Sequence, residues 1–215
     1  MNLKHLSSFL SALFLPLIMW GQLTAEQAFI NATPEQFPYV KRITRLDMVD
    51  YFKSGSNRPS QNLLNGFSRI LSMTPEKIVV EQATDGLVVT QMALDMFNKK
   101  DTALIVIENI ATPAMDGNVK VYDTSWQCVN GAFIPPTLKD WIKKGAKKEM
   151  VNEIMTYVPF AMARYDYDPE SHTLTLTASF ADYLPEELMR KAGHALYTSK
   201  TYKWRGNKFV KAGSF

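Results

Sequence analysis

A single cysteine, Cys128, stands in 215 residues. One thiol cannot build an intrachain disulfide framework, so the fold must be held by packing, even in an oxidising compartment. Cys128 lies in an apolar, strand-like run, and that setting predicts a buried free thiol. Histidine is nearly as scarce. Beyond the N-terminal segment only His172 and His194 occur. A zinc site draws three or four ligands from His, Cys and carboxylates at characteristic spacing, and the chain has no HxxxH, CxxC or HxH. There is no G-x-S-x-G nucleophile elbow and no phosphate-cradling glycine loop. No metal, cofactor or catalytic residue is therefore expected. An excess of charge of either sign is lacking too: the formal charge of +3 falls to +2 once an N-terminal leader carrying Lys4 and no acid is removed. A nearly neutral chain has no general attraction to nucleic acid or to a membrane surface.

Long apolar runs are also missing, with one exception. "MNLKH" is followed by "FLSALFLPLIMW" at residues 9–20 and then by "GQLTA". A basic start, an apolar stretch of about 7–15 residues and small residues at a cut describe a secretory leader. The run is shorter than the roughly 20 residues a bilayer core requires, and Pro16 interrupts it. Residues 1–25 are thus expected to be a signal peptide, cut after Ala25 or Gly21. No cysteine follows that would accept a lipid. The expectation is an exported protein, periplasmic, cell-surface or secreted, with no transmembrane segment in the mature chain. The remaining 190 residues suffice for a substantial core.

The segment "EQAFINATPEQFPYV" reads as irregular, with Pro34 and Pro38 setting turns. "RITRLDMVDYFKSG" reads as a helix that buries Ile43, Leu46, Val49 and Phe52 and ends at Gly55. Strand patterns begin near Phe67. "EKIVVEQ" is β-branched. "LVVTQMALDMF" puts Val88, Thr90, Met92, Leu94 and Met96 on one face at period two. The hairpin signal Asp85-Gly86 before it favours strand over helix. "TALIVIENI" and "NVKVYDTSWQCV", the second entered through Asp116-Gly117, complete an antiparallel meander. "PPTLKDWIKKGAKKEMVNEIMTYV" reads as helix, capped by Thr137 and split near Gly145. A hairpin then turns at residues 168–171, a short helix spans "LPEELMRKAGHALY", and "KTYKWRGNKFVK" closes the chain as a hairpin around Arg205-Gly206-Asn207. Blocks of helices and strands in this order predict an α+β fold with mainly antiparallel sheets. The expected divisions are 26–135 and 136–215. Each reads as helix plus four strands, packing as two similar halves or as one domain.

Few residues invite chemistry. Ser171-His172 beside Asp166 and Asp168 is the one local cluster of triad types, and a turn favours Asp and Ser for backbone reasons alone. Asp47 and Asp50 share a helix face that reads as solvated. The "YDYDPE" carboxylates lack the glycine-punctuated spacing of a calcium loop. From Arg190 onward there are seven Lys or Arg and no acid, interleaved with Tyr197, Tyr202, Trp204 and Phe209. Aromatics among cations can hold an anion or a glycan, with Tyr202, Trp204, Arg205 and Lys208 as the candidate contacts. In a strand, however, Tyr202 and Trp204 point one way and Lys203 the other, so a structural hairpin is the first reading.

Arg45, Asp47, Met48, Val49 and Asp50 match an R-x-D-hydrophobic-hydrophobic-D helix. Pro113, Tyr122 and Trp126 match a strand ending near a proline and a strand with Tyr and Trp four apart. On these motifs residues 34–135 resemble a family of small exported Bacteroidales proteins classed as a domain of unknown function. The resemblance implies export and an α+β fold, and no activity. The function expected is an exported, non-catalytic binding or scaffold protein with a protein or glycan partner and no nucleic acid. The alternatives are a hydrolase-like enzyme with a site assembled from distant residues, an inhibitor or sensor presenting loops, or a glycan-binding module using the C-terminal hairpin.

Overall fold

The structure, a computed structural model, describes residues 23–215 apart from 57, 84, 85, 113 and 159. Most of the expected leader, the Asp85 half of the Asp85-Gly86 signal and Pro113 of the family motif lie outside the described residues. Among the described residues are α-helices α1 (Ala25–Asn31), α2 (Arg42–Lys53), α3 (Lys148–Tyr157) and α4 (Glu186–Ala192). The first sheet contains β1 (Ser60–Gln61), β2 (Phe67–Met73), β3 (Lys77–Ala83), β4 (Leu87–Phe97), β5 (Asp101–Thr112) and β6 (Ala114–Tyr122). The second contains β7 (Ala163–Asp168), β8 (Thr173–Ala178), β9 (Ser199–Trp204) and β10 (Phe209–Ser214). Both are antiparallel and run in chain order. The fold is α+β, as read from the sequence. The idea of two similar halves finds no support: two helices precede six strands in one part, and the other has four strands with α4 between β8 and β9.

The first sheet is buried on both faces. Ile78, Val80, Met92, Leu94, Leu104 and Val106 point toward α1 and α2. Ala93, Ala103, Ile105, Ile107 and Val121 point the other way, into one core with Tyr167, Leu174, Leu176, Tyr202 and Trp204. Double coverage explains why β5 reads as a nearly continuous apolar run rather than an alternation. This core contains residues from both sides of residue 135. The tip between β4 and β5 is carried by Asn98 and Lys99, both at positive φ. The Asn98 N–H donates to the Gly206 carbonyl at 2.8 Å, so the C-terminal hairpin docks on this tip.

The second sheet packs against the first. Its edge strand β7 crosses the face of the first sheet, and side chains of that face take the place of a neighbouring strand. Asn109 of β5 accepts the Tyr165 N–H at 2.8 Å and donates to the Tyr165 carbonyl at 2.9 Å. Lys77 of β3 donates to the Tyr167 carbonyl at 2.6 Å. Edge-strand backbone groups buried without partners would be costly, and these polar side chains remove that cost. Gly117 of β6 allows the approach. A Cβ there would come within 2.5 Å of Asn109 Oδ1 and 2.9 Å of the Tyr165 ring. Asp116-Gly117 is therefore not the entry turn expected from the sequence; it lies inside β6, where the glycine's missing side chain is what matters.

Other expectations are corrected. Residues 25–31 are helical, because Thr24 and Gln27 form a capping box: each side chain bonds the other's backbone N–H at 3.2 Å. On α2, Ile43 is 64% exposed, and the buried positions are Arg45, Met48 and Val49. Arg45 is drawn inward by carbonyls that lack helix partners. Its guanidinium donates to Val40 at 2.9 Å, Ile30 at 3.2 Å and Ala32 at 2.5 Å. Burial, then the nearby Arg42 charge, lower its pKa. Cys128 is exposed rather than buried, because the strand stops at Tyr122. Beyond it the Asp123 carboxylate accepts the N–H groups of Ser125 and Gln127 and bends the chain away.

Candidate functional site

Where the β7–β8 hairpin tip meets the first sheet, the fold leaves a cleft of about 800 Å³. Its walls come from distant parts of the chain: Leu23 and Thr24 before α1, the 74–77 turn, Leu94 and Asp95 of β4, Thr102 of β5, and Asp166, Asp168, Pro169, Glu170 and His172 of the hairpin. The 74–77 turn is set by Thr74, whose hydroxyl accepts the N–H groups of Glu76 and Lys77 at 3.3 and 3.0 Å. The hairpin tip is set by Asp168, which accepts the Glu170 N–H at 3.1 Å, and by His172 at φ +53°. The backbone of His172 is pinned from below, since its carbonyl accepts the Trp204 N–H at 2.9 Å.

At the floor lies Asp95, with 4% of its side chain exposed. Its Oδ2 accepts from the Tyr167 hydroxyl and from His172 Nδ1, the latter at 2.8 Å. A carboxylate can only accept, so Nδ1 carries hydrogen and Nε2 is left as the open ring nitrogen. The His172 side chain is 57% exposed at the cleft wall. Burial, then the bond to Asp95, push the Tyr167 phenol well above its ordinary pKa, so it stays a donor. Asp168 is held below the usual carboxylate range, foremost by the Ser171 hydroxyl. Lys77 pairs with Asp166 at 3.0 Å.

The candidate residues of the C-terminal hairpin stand elsewhere. Tyr202 and Trp204 are 8% and 5% exposed. Their rings pack on Phe133 and Phe209, with centroids 5.1 and 5.0 Å apart, and offer no open platform. Arg205 and Lys208 are exposed at the turn, joined by a 3.0 Å backbone bond. Asp47, Asp50 and His194 are exposed, and none of the three lines the cleft. Among the described residues no three His, Cys or carboxylate side chains are grouped to hold a metal, and no helix is long and apolar enough to cross a membrane. The sequence did carry one signal for the site that its reading missed. Asp95 is an acid at an inward position of an apolar strand, on the face shared with Gln91 and Ala93. Its partner His172 is 77 positions away, and no local pattern joins them.

These features define an α+β protein whose six-stranded antiparallel sheet is covered by α1 and α2 on one face and shares a core with a four-stranded sheet and further helical segments on the other, with an acidic cleft at the junction. A family model described as "Protein of unknown function (DUF3256)" matches residues 21–209, and the chain belongs to that family. The match runs well past the 34–135 stretch on which the resemblance was seen. The chain is also similar to a solved structure of a domain of an uncharacterized protein from Porphyromonas gingivalis W83. The TM-score is 0.73 at 19% identity, over 87% of this chain and 98% of that one. At that identity the likeness speaks for the fold alone. No curated protein matches.

Proposed function

We propose that the protein is an exported, non-catalytic binding module that takes a basic segment of a protein partner in the acidic cleft. The leader pattern of residues 1–25 supports export. The charge of the lining carries the binding reading. Glu76, Asp168 and Glu170 contribute carboxylates, while Asp166 is paired with Lys77 and the buried Asp95 with His172. Concave walls of one sign focus potential and attract the opposite charge. Calorimetric titration with a lysine-rich peptide and its glutamine counterpart tests this. The lysine peptide is expected to bind at least fivefold more tightly, to weaken with added salt, and to lose most of its affinity on combined Asp168→Asn and Glu170→Gln substitution. Equal binding of both peptides, or none of either, rejects the reading.

One observation favours the hydrolase-like alternative. A buried carboxylate orienting an accessible imidazole is the arrangement of a general base. Among the described residues no hydroxyl or thiol hydrogen-bonds His172, so water would be the group it activates. Turnover of ester or amide probes that disappears in His172→Asn would replace the binding reading with this one.

A further inference from the structure

We propose that the protein seats itself on an anionic bilayer surface through the turn between β1 and β2, inserting Leu63 and Leu64 among the lipids and steering them there with the cations beside them. The inference concerns a different end of the molecule from the cleft and stands apart from the binding reading above.

Residues 62–66 form a braced turn with an apolar tip. Asn62 is buried and holds the turn from inside. Its Oδ1 accepts the N–H groups of Leu64 and Gly66, each at 3.0 Å. Its Nδ2 donates to the Ala83 carbonyl at 3.0 Å and to the Ser68 hydroxyl at 3.3 Å, which ties the turn to β2 and β3. The Leu63 N–H donates to the Tyr39 carbonyl at 2.9 Å, and Asn65 takes positive φ to close the turn. On this frame Leu63 and Leu64 are each more than half exposed. Phe67, opposite Gln61 where β2 begins, adds another exposed apolar side chain at the same corner of the sheet. Neighbouring apolar side chains held in water on a fixed frame mark an interaction site.

The charges around the tip select its occupant. No acid occurs from Gln36 to Leu46 or from Tyr51 to Pro75. Of the cations in those stretches, Arg45 is buried, Lys53 pairs with Glu26 and Arg69 with Glu81. Lys41, Arg42 and Arg58 are exposed. Lys41 lines a shallow polar cleft of about 350 Å³ together with Leu63 and Asn65, which places an ammonium beside the apolar tip. Asp47 and Asp50 lie further along α2, away from Lys41. Leucines flanked by cations match a surface of acyl chains under anionic headgroups. A second copy of the chain would instead bring the same cations face to face across a two-fold contact. Each cation near an anionic surface strengthens binding about fivefold, and each leucine adds about fivefold, since half of its side chain is still to be buried. Strand β2, seven residues long, separates this turn from the 74–77 turn of the acidic cleft by about 20 Å, so a protein seated on lipid keeps that cleft clear of it.

The test is flotation of residues 22–215 with vesicles of phosphatidylcholine, alone or with about one-third phosphatidylglycerol. The leader is left off because it is itself apolar, and both cores are built from Ala25 onward. The chain is expected to bind the anionic vesicles at least tenfold more tightly than the neutral ones and to weaken with added salt. Leu63→Ser combined with Leu64→Ser is expected to lose at least tenfold on the anionic vesicles at an unchanged urea midpoint, because both side chains are exposed. Lys41→Gln combined with Arg58→Gln is expected to lose about as much. Should the serine pair misfold, Leu64→Trp reads insertion directly, and its emission is expected to shift to the blue on anionic vesicles. Failure to bind those vesicles, binding that the serine pair leaves intact, or a Leu64→Trp emission that does not move overturns the inference. So does a dimer in solution that the serine pair dissolves, which would assign the turn to a second copy.

Discussion

At the residue scale, several side chains act against their type. Lys200 is a lysine with no exposed surface. Its ammonium lies 4.7 Å from the Tyr197 ring centroid and 5.2 Å from that of Trp141, and it reaches the Ser214 hydroxyl at 3.2 Å. Burial lowers its pKa, helped by Lys211 and opposed by Asp140. The unfolded chain then binds the proton more tightly than the native state does, so stability is greatest above the unfolded value of 10.5 and falls as pH drops through the folded one. Lys200→Met keeps the volume and removes the charge. It is expected to be more stable than wild type by about 1 kcal/mol at pH 7 and to flatten the alkaline rise in stability. Urea unfolding at pH 7 and 9.5 measures both.

Arg45 belongs to the same scale. Its place in the R-x-D helix motif marks a buried cation that gathers three carbonyls from the end of α1 and the connection to α2, with Phe29 and Phe37 each 5.9 Å from its guanidinium carbon. The motif residues Asp47 and Asp50 face solvent. The arginine is therefore a packing residue, and its motif gives no information about the cleft.

At the element scale, α1 bears on where the proposed leader would end. Ala25 has no exposed surface, and its N–H donates to the Pro75 carbonyl at 2.7 Å. Thr24 caps the helix. Of the two cleavage sites that fit the leader, the one after Gly21 keeps all of this, and the one after Ala25 destroys it. If the chain is exported as proposed, the mature protein is expected to begin at Gln22, and N-terminal sequencing or intact mass checks it. Thr24→Ala is expected to cost about 1 kcal/mol through loss of the cap, read from the same urea curves.

On the scale of the whole molecule, the junction between sheets is the feature that matters. Strand β7 presents its backbone edge to the face of another sheet, and Asn109 acts there as a substitute peptide group. Asn109→Ala leaves the Tyr165 N–H and carbonyl without their main partner. It is expected to cost roughly 1–3 kcal/mol, the penalty of one buried N–H left unpaired, since Gln91 Nε2 still reaches the Tyr165 carbonyl at 3.4 Å. Gly117→Ala drives a methyl group into the same contact and is expected to cost about 1–3 kcal/mol. Both costs should appear in one cooperative unfolding transition, since β7 belongs to the core shared by the two sheets. Two separate transitions would show that the sheets fold independently.

The local patterns of this chain were legible because they depend on near neighbours. The period-two run at 87–97, the apolar run at 102–110, the split at Gly145 and the closing hairpin at 205–207 follow from side-chain pattern and turn chemistry, which act over a few residues. So does the α+β class, read from the order of those blocks. Local pattern failed where a distant surface changed the outcome. The α2 stripe turned because unpaired carbonyls drew Arg45 inside. Gly117 resembled a turn residue but serves a close strand crossing. Asp95 and His172 meet only because β7 crosses the first sheet, and nothing near either residue encodes that crossing. Composition and periodicity determined the kind of fold. Tertiary packing alone decided which buried acid holds which histidine, since that contact depends on how two sheets sit together and not on the spacing of residues along the chain.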